Sequence, residues 1–159
     1  MFGLTPLGII HTAISLGAVI TGAMSLLRDG KISWENLIGK VYTGTTIITC
    51  LTGFGIFQHG GFGKPHLLGV ITLVVFELIY VAHKNKLGKI SPYVVTVGYS
   101  LTFFFNIIPG ITETATRLPQ DAPLASGPED PNIQMAIGIC FLLFLILATV
   151  QVRKLRSNS

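Results

Sequence analysis

Long runs of apolar residues, separated by short polar or glycine-rich connections, dominate the chain. A transmembrane helix needs about 20 mainly apolar residues, and five segments approach or reach that length: residues 4–27, 37–57, 66–84, 92–111 and 132–152. The runs are continuous, whereas a membrane β-barrel would show alternating segments of about ten residues. The pattern therefore predicts an all-α integral membrane bundle of five transmembrane helices, in a single domain over residues 1–159.

Composition agrees with this assignment. Half of the 159 residues are hydrophobic and only 11% are charged, which is typical of membrane proteins rather than soluble ones. The net charge of +4 comes without a basic patch interleaved with aromatic residues, so no nucleic-acid partner is predicted. The predicted partners are the lipid bilayer and, beyond it, further copies of the chain or other subunits of a membrane complex.

The basic residues are distributed unevenly between the connections. Nine of the eleven follow the first, third or fifth span: Arg28, Lys31, Lys40, Lys84, Lys86, Lys89, Arg153, Lys154 and Arg156. The opposite side receives Lys64 and Arg117, together with four of the seven acidic residues. Because cytoplasmic loops are rich in Lys and Arg, the N-terminus is predicted outside and the C-terminus in the cytoplasm. We expect a multi-pass protein of the bacterial inner membrane, with an outer loop over residues 112–131.

Proline and aspartate mark two helix boundaries in the second half of the chain. Pro109, followed by Gly110, is predicted to kink or end the fourth span. Asp130 before Pro131 is a good start for the fifth helix, as a capping side chain before a first-turn proline.

Helix packing in lipid depends on small residues that let backbones approach closely. The first span has four of them at intervals of four residues, which predicts its contact face: Ala13, Gly17, Thr21 and Ser25. Tyr42 lies toward the cytoplasmic end of the second span, where an aromatic side chain is predicted to anchor at the membrane interface.

Glu77 is a carboxylate within the third span, where a charge is costly unless it is paired or in contact with water. On the antiparallel second span, Lys40 lies roughly 6 Å from the cytoplasmic end, and Glu77 lies roughly 10 Å from the same end. The lysine stem is long enough to cover that difference. The sequence therefore predicts an intramembrane ion pair between Lys40 and Glu77, either as a link between helices or as a proton or ion relay.

Three of the four histidines fall on the outer side: His11 in the first span, His59 in the stretch QHGGFGKPH, and His66 at the start of the third span. Neutral imidazole is the commonest metal ligand, and haem b with two axial ligands needs histidines on facing helices. We predict His11 and His66 as cofactor-binding residues and His59 as a metal ligand, for haem b or a transition metal. Hydrogen-bonded packing histidines are the alternative. No metalloprotease, haem-attachment or phosphate-loop motif is present, and no catalytic residue is predicted.

The segments HTAISLGAVITGAMSLL, ENLIGKVYTGT and GKPHLLGVITLVVFELIYVAHK resemble a bacterial family of small polytopic membrane proteins whose function is not established. The resemblance covers roughly residues 8–85. His11, Gly39 and Tyr42 match the family pattern, whereas Glu35 and Asn36 stand where the family has a His-Arg pair. A looser likeness to membrane cytochromes of the b561 kind rests on the outer histidines, and it implies haem b.

Three function classes follow from these observations. The first is electron transfer through an outer histidine site that binds haem b or a metal. The second is a small proton-coupled transporter that uses Glu77 and Lys40. The third is an accessory or structural subunit of a larger membrane complex, which requires no site within the chain.

Overall fold

The computed structural model describes residues 5–57, 61–119 and 121–157, and within these ranges it contains helices and no strand. Five long helices follow one another: α1 Pro6–Asp29, α2 Leu37–Gly53, α3 Lys64–His83, α4 Ser91–Arg117 and α5 Pro131–Ser157. A short 3-10 turn, Gly88–Ile90, leads into α4. The predicted all-α bundle is confirmed.

The described helices have the dimensions of membrane spans. Four segments are long and apolar enough to cross a membrane: α1, α3, α5 and Gly88–Arg117, which contains α4. The shorter α2 has 17 residues, or about 25 Å at 1.5 Å per residue. It ends at Gly53 rather than at the predicted residue 57. Since four segments have the length and hydropathy of membrane spans, the chain is a multi-pass membrane protein, and α2 packs alongside α1 and α3.

Polar side chains and prolines determine where the helices begin. The Thr5 hydroxyl accepts the Gly8 N–H at the start of α1, and the Asn36 side chain accepts the Gly39 N–H at the start of α2. The predicted start of α5 is confirmed, because the Asp130 carboxylate accepts the Asn132 N–H at 2.9 Å. That hydrogen bond favours the ionised form and lowers the pKa of Asp130.

The first four helices form a ring. Its sides are the contacts of α1 with α2, α2 with α3, α3 with α4 and α4 with α1, and α5 packs outside the ring against α4. The nine basic residues identified above lie where α1, α3 and α5 end, which we call the basic end. The other end, which carries Lys64, Arg117 and four acidic residues, is called the acidic end.

Tyr42 fills the centre of the ring. Its side chain is fully buried, and its hydroxyl bonds to Thr102 of α4 at 2.8 Å and accepts from Asn106 at 3.3 Å. Asn106 also donates to Thr46 at 3.0 Å. The expectation that Tyr42 anchors at the membrane interface is therefore wrong, because its hydroxyl finds partners on the facing helix.

The contact face of α1 differs in register from the predicted one. The buried residues in the middle and last turns are Ala18, Gly22 and Ser25, whereas Ala13 is exposed. Gly22 is required by close packing, since a Cβ there would lie 2.5 Å from Phe103 and 2.9 Å from Tyr42. The aromatic rings of α2 and α4 thus select the face of α1 that turns inward.

Pro109 does not end the fourth helix. α4 continues from Ser91 to Arg117 with the proline inside it, so it extends beyond the predicted boundary at residue 111. The added turns are stabilised by an ion pair of Glu113 with Arg117, 2.5 Å apart, and by the Thr116 hydroxyl, which donates to the Thr112 carbonyl.

Candidate functional site

His66 opens α3 as a capping residue. Its Nδ1 accepts the Gly63 N–H at 3.2 Å, and its ring lies between those of Phe57 and Phe62, with both centroids 5.1 Å away. The side chain is buried, and its Nε2 has no hydrogen-bond partner among the described residues. Since Nδ1 acts as an acceptor, neutral His66 carries its proton on Nε2. This tautomer offers no free nitrogen lone pair to a metal or to haem iron.

His11 has the opposite arrangement. Its Nδ1 lies 3.0 Å from the Thr52 hydroxyl, and that hydroxyl is also within hydrogen-bond distance of the Ile48 and Thr49 carbonyls, at 2.8 and 3.1 Å. When the hydroxyl donates to either carbonyl, the imidazole is the donor through Nδ1, and Nε2 keeps its lone pair. Gly53 allows this approach, because a Cβ there would lie 3.3 Å from the His11 ring. In proteins, a histidine that binds a metal through one ring nitrogen usually donates the N–H of the other to an oxygen acceptor, which fixes the orientation of the ring.

The structure does not bring the predicted histidines together. His11 contacts the end of α2, whereas the ring of His66 packs against Phe57 and Phe62, which lie within the α2–α3 connection. No hydrogen bond or ring contact joins them, and no cluster of three His, Cys, Asp or Glu within the described residues could hold a metal. His59, the predicted metal ligand, lies outside the described residues.

The predicted Lys40–Glu77 ion pair is not formed. The ion pairs within the described ranges are Arg28–Asp29, Lys64–Glu129 and Glu113–Arg117. The buried face of α2 carries Tyr42 and Thr43, and the buried face of α3 carries Phe76 and Ile79. Lys40 and Glu77 do not belong to these buried faces. Each follows a buried residue, Gly39 or Phe76, and its own side chain is exposed.

Glu77 lies on an apolar surface of α3. The exposed large residues at helical spacing around it are Leu67, Val70, Ile71, Val74, Leu78 and Tyr80. Glu77 is six residues before His83, the end of the helix, which corresponds to about 9 Å along the axis. Within the part of the chain that the structure describes, no hydrogen bond or ion pair satisfies its carboxylate. This acidic position on an otherwise apolar helix face is the candidate functional site.

Sequence reasoning located Glu77 but missed the polar side chains that connect the helices. Gln151 of α5 is buried, accepts from the Ser100 hydroxyl at 3.0 Å and donates to the Gly30 carbonyl at 2.9 Å. It therefore ties α5 to α4 and to the end of α1. A polar amide within the last apolar run was the available signal, because such a residue in a membrane helix usually has an interhelical partner.

Comparison with protein families, with curated proteins and with solved structures finds no match to this chain. The resemblance of residues 8–85 to a bacterial membrane family therefore stays a prediction. Function has to be inferred from the geometry around Glu77 and the histidines.

Proposed function

We propose that this chain is an accessory or structural subunit of a larger membrane complex, and that it binds a partner helix through the Glu77 face of α3. The bacterial inner membrane is the proposed location. The observation that carries the proposal is an exposed carboxylate, without a partner among the described residues, on an apolar face of a membrane helix.

The cost of leaving Glu77 in lipid is the first step of the argument. An ionised acidic side chain near the centre of a membrane helix costs about 3 kcal/mol. Side chains of an α-helix tilt toward its N-terminus, so Glu77 is directed away from the nearer, basic end of α3. It is therefore unfavourable for the Glu77 carboxylate to reach the lipid headgroups at that end. A partner that pairs with the carboxylate removes the free-energy cost of leaving the charge in lipid.

The chemistry of the partner follows from this face. A complementary helix would be apolar and would carry one cation or hydrogen-bond donor at the depth of Glu77. A second copy of the chain fits less well, because a twofold interface centred on this face places the two Glu77 carboxylates together, and like charges repel. We therefore expect a heteromeric complex rather than a homodimer.

Partner binding is tested with the full-length tagged chain in its own membranes. After mild solubilisation, the wild-type protein should migrate well above its 17.1 kDa and should carry a second membrane protein. Glu77→Lys should reduce the recovery of that protein at least about tenfold, which corresponds to about 1.4 kcal/mol. Glu35→Lys, an exposed acid in the α1–α2 connection, makes the same charge change and should leave recovery unchanged.

Two results would contradict the proposal. One is a wild-type chain that is monomeric when taken from its own membranes. The other is a complex that survives Glu77→Lys as well as it survives Glu35→Lys. The transporter alternative, proton coupling through Glu77 and Lys40, has no direct relay in this structure because the two side chains do not meet.

Electron transfer through haem b or a transition metal is a second candidate, and it is favoured by the orientation of His11. When Nδ1 of His11 donates to Thr52, Nε2 is able to act as a ligand, whereas His66 is unsuited as long as its Nδ1 accepts from Gly63. A second ligand would come from outside the described residues, where His59 lies, or from the partner subunit. When bound, haem would supply reversible one-electron chemistry.

A visible spectrum of the purified protein, together with metal analysis, tests this candidate. Haem-loaded protein should show a Soret band that His11→Ala abolishes or shifts. His66→Ala and His83→Ala should leave the band in place, since His66 caps a helix and His83 is exposed at the basic end. Colourless, metal-free protein from cells supplied with iron and haem precursor would exclude this function.

A further inference from the structure

A shallow groove of about 330 Å³ runs between α4 and α5 toward the basic end. Its walls include Val97 of α4 and Leu145, Ala148 and Val152 of α5. Thr149 also lines the groove, but its hydroxyl donates to the Leu145 carbonyl at 2.8 Å. The polar atom of Thr149 is thus satisfied within its own helix, and the walls of the groove are apolar along their length.

Two arginines stand at one end of this groove. Arg153 and Arg156 both line it, and their spacing of three residues places them on one face of α5. Both side chains are exposed, and neither belongs to an ion pair within the described ranges. Guanidinium groups bind phosphate oxygens through paired, charge-assisted hydrogen bonds. An apolar groove that ends at two guanidinium groups without an ion-pair partner is complementary to an amphiphile with an anionic headgroup.

The extent of the lining residues along α5 fits a single acyl chain as the tail of that amphiphile. From Leu145 to Arg156 the helix rises about 16 Å at 1.5 Å per residue. One leaflet of the hydrocarbon core is about 15 Å thick, half of the roughly 30 Å of the whole core. A single acyl chain that lies in the groove would therefore place its headgroup at the level of the two arginines.

We propose that the α4–α5 groove is a binding site for an anionic phospholipid, with the phosphate on Arg153 and Arg156 and one acyl chain along Val97, Ala148 and Val152. This site is independent of the Glu77 face. It adds a specific lipid contact on the outer surface of α5, a helix whose main packing partner is α4.

The test measures lipid binding to the full-length, delipidated protein in detergent. Phosphatidylglycerol should raise the thermal midpoint more than phosphatidylcholine does at equal concentration. The double variant Arg153→Gln/Arg156→Gln should weaken the apparent affinity for phosphatidylglycerol about tenfold or more, because basic residues near anionic lipid contribute most of that preference. Ala148→Phe, which fills the groove but keeps both arginines, should weaken binding of both lipids.

The matched control is Lys40→Gln/Lys84→Gln. It removes the same charge from exposed positions at the same end of the bundle that do not line the groove, and it should largely preserve the phosphatidylglycerol preference. An equal loss in this control would mean that general surface charge attracts the lipid, which overturns the proposal. Stabilisation by inorganic phosphate alone that equals the effect of phosphatidylglycerol would also overturn it, because the acyl chain would then contribute nothing.

Discussion

Tyr42 places a hydroxyl group in the buried interior of a membrane bundle. The group is satisfied by Thr102 and Asn106 from α4, and its ring contacts those of Tyr99 and Phe103 at 6.4 Å between centroids. Interhelical hydrogen bonds are one of the forces that hold membrane helices together. Tyr42 therefore joins α2 to α4 across the ring.

Replacing Tyr42 with Phe should lower the free energy of unfolding by about 1 kcal/mol, the usual size of an interhelical hydrogen bond in membrane proteins. The loss is modest because Asn106 keeps its bond to Thr46, and Thr102 keeps its bond to the Tyr99 carbonyl. Denaturant titration in mild detergent measures the change. Tyr80→Phe, at an exposed position, is the control, and an equal loss there would contradict the assigned role.

At the residue scale, the sequence predicted contacts between residues that are close together along the chain. The Asp130 cap depends on a neighbour two residues away, and it forms as expected. The partners of His11 and Tyr42 lie more than forty residues away along the chain. Side-chain spacing within one helix carries no information on such pairs, so the predicted histidine and Lys40–Glu77 pairings could not be tested before the helices were placed.

At the element scale, α5 differs from the other helices in its attachment. It lies outside the ring, and its contacts with α4 include the rings of Phe141 and Phe144, which pack on Phe104. Near the basic end, Gln151 adds hydrogen bonds to Ser100 and to the Gly30 carbonyl. These two sets of contacts hold the helix at different depths.

A double-mutant cycle of Gln151→Ala with Ser100→Ala should give a coupling free energy of about 0.6–1 kcal/mol, because each side chain is the other's partner. Gln151→Ala alone should cost more, since it also leaves the Gly30 carbonyl without its amide donor. Thr149→Val is the matched control on the same helix, because its hydroxyl bonds only to its own backbone. Strictly additive single effects would show that the Ser100–Gln151 bond contributes no stability.

At the scale of the whole molecule, the two ends of the bundle differ in charge. Nine basic residues gather where α1, α3 and α5 end, and the loop before α5 carries Asp121, Glu129 and Asp130 at the other end. The ion pair of Lys64 with Glu129, 2.6 Å apart, joins the start of α3 to that loop. This asymmetry is the basis for orienting the protein in the membrane.

Reporter fusions at Ser159 and at Gly127 should therefore lie in opposite compartments, with Ser159 in the cytoplasm. The reason is the retention of Lys- and Arg-rich segments on the cytoplasmic side during insertion. A compartment-specific enzyme fused at each site reads out the result directly. Replacing Lys84, Lys86 and Lys89 with Gln should weaken the preference, and a shared compartment for the two fusions would require an even number of spans between them.

The sequence by itself determined the number of helices, most of their boundaries and the charge difference between the two ends. Those properties depend on run length, on capping residues and on local charge, all of which act within a few residues. Only the tertiary structure decided which face of each helix turns inward. The helices of this chain are apolar on most sides, so hydrophobic periodicity does not distinguish the interior from the lipid. Close packing at Gly22 and hydrogen bonds from Tyr42 and Gln151 make that choice, and they leave Glu77 on the outer surface.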